Sequence, residues 1–120
     1  IPRMDTLAFP ADEKLIALAQ EVCREVIPEI QVFAGRVVSG DQFVSDRESK
    51  ERISKNFQGY CTEMEGAAIA QAAYLNHVPY VVLRAISDKA DDSASVDYPA
   101  FEREAIRHSV ELMSNMVKRL

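Results

Sequence analysis

The sequence predicts an α/β fold, a layered arrangement in which helices flank a central sheet that is largely parallel or mixed. Three observations lead there. Helical and strand periodicities alternate along the chain in the order helix, strand, helix, strand, helix, strand, helix, which suits strands joined by helical crossovers. One run, Pro79 to Ile86, is rich in β-branched residues and has no polar residue before Arg84, as expected of a strand buried on both faces. Polar clusters follow the strands, and ligands of open α/β sheets bind beyond the carboxyl ends of their strands.

Each element has its own local reason. Pro10-Ala11-Asp12 opens the first helix, with Asp12 as its cap and Leu15, Ile16, Leu18, Ala19, Val22, Cys23 and Val26 at helical spacing; Pro28 ends it. Val32 to Val38 reads as a strand, broken by the turn residues Ser39-Gly40-Asp41. A short amphipathic helix rich in charge follows over about Arg47 to Asn56, then a short strand over Gly59 to Thr62. Glu65 to Leu75 is an alanine-rich helix whose small side chains suit close approach to a sheet. Pro79 to Ile86 is the third strand and Ser87 to Val96 a polar, acidic loop. The last helix runs from about Tyr98 to Leu120, with Phe101, Ala105, Ile106, Val110, Met113 and Val117 expected to face inward.

Composition narrows the function classes. Hydrophobic residues make up 48% and charged residues 28% of 120 residues, an ordinary balance for a globular domain able to bury a core. The net charge of −5 and the lack of a basic face argue against nucleic-acid binding. No apolar run nears the roughly 20 residues that span a bilayer, and no signal peptide is visible, so neither a membrane nor an export role is expected. Cys23 and Cys61 have no metal-binding spacing and read as reduced thiols of a cytoplasmic protein. The chain opens at Ile1 rather than at an initiator methionine, which reads as a cut through a longer polypeptide or as a processed N-terminus.

Three clusters carry candidate chemistry. In Glu63-Met64-Glu65-Gly66-Ala67, two carboxylates stand two apart at a strand-to-helix junction, on one face if the backbone is extended. A carboxylate accepts two hydroxyl donors, which suits the vicinal hydroxyls of a ribose. The plain alternative is that Glu65 merely favours the positive end of its helix. In Arg84-Ala85-Ile86-Ser87-Asp88, an arginine ends an apolar strand and needs a partner, with Glu63, Glu65 or a carboxylate outside this sequence as candidates. Asp88, partly desolvated past the strand end, is a candidate proton donor near neutral pH; a helix cap or Asx-turn is the alternative for Ser87-Asp88. In Val38-Ser39-Gly40-Asp41-Gln42-Phe43-Val44, Phe43 is placed to stack on a flat base and the Val44 backbone to read its edge, though a turn followed by a core phenylalanine fits as well. His77 and His108 lack any motif and are not expected to be catalytic, and Asp91-Asp92 reads as a solvated acidic loop rather than a metal site.

Taken together, Val38-Ser39-Gly40-Asp41-Gln42-Phe43, Glu63-Met64-Glu65-Gly66-Ala67 and Arg84-Ala85-Ile86-Ser87-Asp88 resemble the nucleoside phosphorylase/nucleosidase superfamily, and within it the 5′-methylthioadenosine/S-adenosylhomocysteine nucleosidases. The resemblance runs from Ile1 to Leu120. It implies that residues 1–120 are the C-terminal portion of one such domain, with the fold present only in part and the N-terminal half absent. Glu63-Met64-Glu65 and Ser87-Asp88 also resemble hexameric purine nucleoside phosphorylases. The resemblance further implies an N-glycosidic hydrolase without cofactor or metal, in which Asp88 protonates purine N7 and Glu65 holds the ribose hydroxyls. Met64 would pack on the ribose, Phe43 and Val44 would bind adenine, Ser87 would support Asp88, and Arg84 would orient the water or its activating glutamate. Tyr98 stands where the family has an aromatic over the 5′-substituent, usually phenylalanine. Pro2 would line the neighbouring subunit's pocket, which implies a homodimer. The water-activating glutamate has no match here, so the chain alone is expected to be inactive. Phosphorolysis, futalosine hydrolysis and a non-catalytic nucleoside-binding domain are the alternatives.

Overall fold

The computed structural model describes residues 1–87 and 98–120. In chain order the elements are α1 (Glu13–Val26), β1 (Val37–Ser39), α2 (Arg47–Phe57), β2 (Cys61–Glu63), α3 (Gly66–Leu75) and α4 (Tyr98–Lys118). The two strands are parallel, joined through α2, with Val37 opposite Cys61, Val38 opposite Thr62 and Ser39 opposite Glu63. The alternation and the parallel pairing that the sequence predicts are both present.

Local chemistry sets the helix ends. The Asp12 carboxylate accepts the Leu15 N–H at 2.9 Å, and Glu13 adds a negative charge to the positive end of α1. Asp46 caps α2 in the same way by accepting the Ser49 N–H at 2.8 Å. At its other end α2 stops on Gln58, whose φ of 54° is left-handed and turns its N–H back to the Ser54 carbonyl. α1 packs on α4, with Ala19 and Val22 against Met116; Leu18, Val26, Val81 and Leu112 close the cluster. Val22 and Ile27 are the most deeply buried large side chains. Around this core Arg119 pairs with Glu21 and Glu25, and Arg107 with Glu29. These pairs are solvent-exposed, so water and salt screen them and they add little to the fold.

Three expectations are corrected. The strand expected over Val32 to Val38 begins only at Val37 and runs to Ser39, the three residues that lie opposite β2. Pro79 to Ile86 carries no ladder among the described residues, although it is tethered at its start, where the Tyr80 carbonyl accepts the Asp12 N–H at 2.8 Å and the Tyr80 hydroxyl donates to the Phe9 carbonyl. β-propensity supplies a strand-ready segment but not the neighbour whose backbone completes a ladder. In α4 the buried and half-buried positions are Ala100, Phe101, Ala105, His108, Glu111, Leu112, Asn115 and Met116, whereas Ile106, Val110, Met113 and Val117 face out. The helix carries two apolar stripes at helical spacing, and α1 covers the first.

Candidate active site

The loop after β1, the strand β2 with the turn that follows it, and the segment leading to Ser87 open into one cleft of about 530 Å3, a volume suited to a small molecule. Its lining includes Phe43, Val44, Glu63, Met64, Glu65, Arg84 and Ser87, so seven of the ten candidate site residues come together. Asp88 lies outside the described residues. Tyr98 opens α4, exposed, with its ring 6.4 Å from that of Phe101, and is not in the cleft lining; Pro2 is exposed near the chain start and is not in it either.

Glu63 is the centre of the site's electrostatics. It ends β2 with only 7% of its surface accessible, and it is the one buried charged residue among those described. A buried carboxylate is costly unless its lone pairs are filled. Here they are filled: the Ser39 hydroxyl donates to Oε1, the Gly66 N–H reaches both oxygens at 2.9 and 2.7 Å, and the Glu65 N–H reaches Oε2 at 3.1 Å. Burial pushes the Glu63 carboxyl upward, but the Ser39 hydroxyl, the two N–H groups and Arg84 together outweigh it and hold the group below the ordinary Glu range. Glu63 therefore satisfies the free N–H groups at the start of α3 as an anion, the task the sequence had offered to Glu65 as its plain alternative. Glu65, the residue before α3, makes no side-chain capping bond, and its side chain is largely exposed.

Arg84 bridges the two carboxylates, with its Nη1 3.9 Å from Glu63 and 3.6 Å from Glu65. The two acids thus differ in environment while sharing one cation. Glu63 is committed to the protein, and Glu65 is turned to the cleft with lone pairs left for a ligand. Met64, between them, and Phe43 are both exposed apolar surfaces on the cleft wall, 46% and 77% accessible. Phe43 is thus not the core residue that a plain turn would have produced. Cys61 also lines the cleft, and burial followed by the Glu63 charge pushes its thiol up, against the opposing pull of Arg84. It stands there as a neutral thiol.

Sequence reasoning missed part of the wall. Lys50, Ile53 and Ser54 of α2 line the cleft, at the i, i+3, i+4 spacing that marks one helix face. Tyr60 lines it too, with its ring laid against Gly35 so closely that a Cβ there would stand 2.3 Å from the ring. The helix-face pattern was available in the sequence, whereas the Gly35–Tyr60 approach spans 25 residues and left no local signal. Among the described residues no group of three or more His, Cys, Asp or Glu side chains is placed to hold a metal ion, and no helix is long and apolar enough to cross a membrane.

A family model described as the phosphorylase superfamily matches residues 1–120. The chain belongs to the phosphorylase superfamily. Similar members of the superfamily include a 5′-methylthioadenosine/S-adenosylhomocysteine nucleosidase of Bacillus velezensis, 40% identical over 114 residues, 94% of this chain and 49% of that protein. Among solved structures, the 5′-methylthioadenosine/S-adenosylhomocysteine nucleosidase of Campylobacter jejuni superposes with a TM-score of 0.83 at 35% identity, over 93% of this chain and 48% of the other. The futalosine hydrolase of Helicobacter pylori does so with a TM-score of 0.80 at 36% identity, over 93% and 46%. The Neisseria meningitidis nucleosidase in complex with methylthio-immucillin-A matches with a TM-score of 0.80 at 36% identity, over 93% and 48%. The chain spans about half the length of the curated superfamily relatives it matches.

Proposed function

We propose that the polypeptide carrying this sequence hydrolyses the N-glycosidic bond of 5′-methylthioadenosine and S-adenosylhomocysteine, releasing adenine, and that residues 1–120 supply the purine and ribose side of its site as the C-terminal half of one domain. The observation that carries the reading is the meeting, in one cleft, of Phe43 and Val44, Met64 and Glu65, and Arg84 through Ser87. The names of the nucleosidase relatives support the same chemistry.

Each role follows from what the bond needs. An adenine anion leaves poorly, so a proton is delivered to N7 as the bond breaks, and Asp88, which follows Ser87 in the sequence, is the assigned donor. Positive charge grows on the ribose in an oxocarbenium-like transition state, as in glycoside hydrolysis. The Glu65 carboxylate, free of capping bonds, accepts the 2′- and 3′-hydroxyls and stabilises that charge. Phe43 stacks on the base, the Val44 backbone reads its edge, Met64 packs on the sugar, and Glu63 sets the frame behind them. Arg84 orients the water or the carboxylate that activates it, a group outside residues 1–120. No cofactor or metal takes part. Tyr98 covers the 5′-substituent, and Pro2 reaches a neighbouring subunit's pocket in a homodimer. The free thiols fit a cytoplasmic enzyme.

Adenine release from 5′-methylthioadenosine, with and without added phosphate, tests the reading. Release that does not depend on phosphate is expected; strict phosphate dependence would establish phosphorolysis instead. Asp88→Asn is expected to keep nucleoside binding while release falls by two to four decades, the usual worth of a general acid; full activity in that variant would remove Asp88 as donor. The similarity to a futalosine hydrolase favours one second reading, the same cleavage with a larger 5′-substituent. Competition between the two nucleosides, compared by kcat/KM, separates them.

A further inference from the structure

We propose that Ser39, which no role has yet claimed, is a positioning residue that locks Glu63 and, through it, the Met64-Glu65 turn and Arg84. Its kinetic consequence rests on the nucleosidase reading above. Ser39 ends β1 directly opposite Glu63, the last residue of β2. Its hydroxyl does two things at once. It donates to Glu63 Oε1 and accepts the Ala67 N–H at 2.8 Å. A hydroxyl combines a strong donor and an acceptor on one atom, which a thiol does only weakly and an alkyl side chain not at all. The same oxygen thus ties the end of one strand to the carboxylate ending the next and to the first turn of α3.

Among the described residues, Glu63 is faced from three elements. From β1 comes Ser39, from the start of α3 the Glu65 and Gly66 N–H groups, and from the segment before Ser87 the Arg84 guanidinium, 3.9 Å away and shared with the Glu65 carboxylate. Cys61, two residues back on β2, is a neutral thiol. Ser39 is the sole side-chain hydroxyl in this set, and its removal leaves a buried anion short of one donor and the Ala67 N–H without its acceptor. Glu63 then protonates more readily. Once neutral it no longer attracts Arg84, which swings toward Glu65 alone. The Glu65 carboxylate loses its fixed aim just where the charge on the sugar develops, so the transition state suffers more than the bound ground state.

The experiment compares Ser39→Ala, Ser39→Cys and Ser39→Thr in the full polypeptide that carries this sequence. The Glu63 carboxyl is titrated by NMR with 13C-labelled glutamate, assigned through Glu63→Gln, and kcat and KM are measured on 5′-methylthioadenosine against pH. In Ser39→Ala the Glu63 titration and the acidic limb of kcat are both expected to move to higher pH, and kcat to fall about ten- to a hundredfold, the worth of one hydrogen bond to a charged group, with KM changing far less. Ser39→Thr, which keeps the hydroxyl, is expected to recover most of the loss. Ser39→Cys, a weak donor, falls between and serves if the alanine variant does not fold. Unmoved titration and acidic limb in Ser39→Ala, or a threonine variant no better than alanine, would overturn the proposal. If the wild-type polypeptide releases no base from any nucleoside, the nucleosidase reading falls, while the Glu63 titration still decides whether Ser39 holds that carboxylate.

Discussion

Glu63 shows how a single side chain sets a stability that depends on pH. Its carboxyl titrates below the ordinary Glu range in the folded chain, because the Ser39 hydroxyl, the Gly66 and Glu65 N–H groups and Arg84 overcome the effect of burial. For a group whose folded value is depressed, the stabilisation is fully present above the unfolded value and is lost as pH falls through the folded one. Urea unfolding midpoints should therefore hold steady above the ordinary Glu range of about 4.3 and decline below it. The decline should be shallower in Glu63→Gln, which has no charge to lose. That variant is itself expected to be less stable at neutral pH by about 1–3 kcal/mol. Both Glu63 oxygens accept N–H groups, and an amide nitrogen in either place would face a donor instead. A variant as stable as wild type, with the same acid decline, would show that the charge at 63 does not matter to the fold.

At the scale of the element, helix ends were legible in the sequence and strand ends were not. Asp12 before an apolar stripe specifies the start of α1 through a bond three residues away, so the information is local. Asp12→Ala should cost about 1 kcal/mol, read as a lower urea midpoint with an unchanged slope. The extent of β1 depends on Cys61–Glu63, more than 20 residues on, and the fate of Pro79 to Ile86 depends on a neighbour that no local pattern contains. The same distinction runs through the cleft. Glu65 and Arg84 were legible because a charge beside apolar sequence needs a local reason, and Phe43 because it follows a turn, whereas the hydroxyl of Ser39 looked like one more turn residue until Glu63 lay opposite it. The α2 terminus offers a second check. Gln58 holds φ at 54°, a conformation that costs a residue with a Cβ roughly 1–2 kcal/mol. Gln58→Gly removes that cost but loosens the unfolded chain, so a net gain of up to about 1 kcal/mol is expected in thermal or urea unfolding; a loss would mean that the glutamine side chain holds the turn.

On the scale of the whole molecule, the surface is too large for the mass. The chain exposes 9143 Å2, whereas a self-contained monomer of 13.4 kDa is expected to expose about 6,500 Å2. Its radius of gyration of 15.4 Å likewise exceeds the roughly 13.6 Å expected for 120 residues. The excess includes apolar side chains in an ordered pattern: Ile106, Val110, Met113 and Val117 form the second stripe of α4, and Leu83 and Ile86 punctuate the segment that carries no ladder, with Val78 just before it. A stripe at helical spacing is a face built to be covered, because scattered exposed apolar residues need no explanation but aligned ones do. The superfamily relatives, about twice as long, have the chain length to cover it. The 120-residue chain on its own is therefore expected to associate with itself in sedimentation at micromolar concentration, to bind a dye specific for apolar surface, and to release no adenine at a useful rate. Val110→Glu with Val117→Glu, placed on that stripe and away from the α1–α4 core, should reduce both the association and the dye binding of the isolated chain, while the same pair should destabilise a polypeptide of the relatives' length, in which the added chain would cover the stripe. A chain that sediments as a 13.4 kDa monomer, leaves the dye dark and tolerates the two glutamates in both contexts would mean that water covers this face and that the surface excess has another origin.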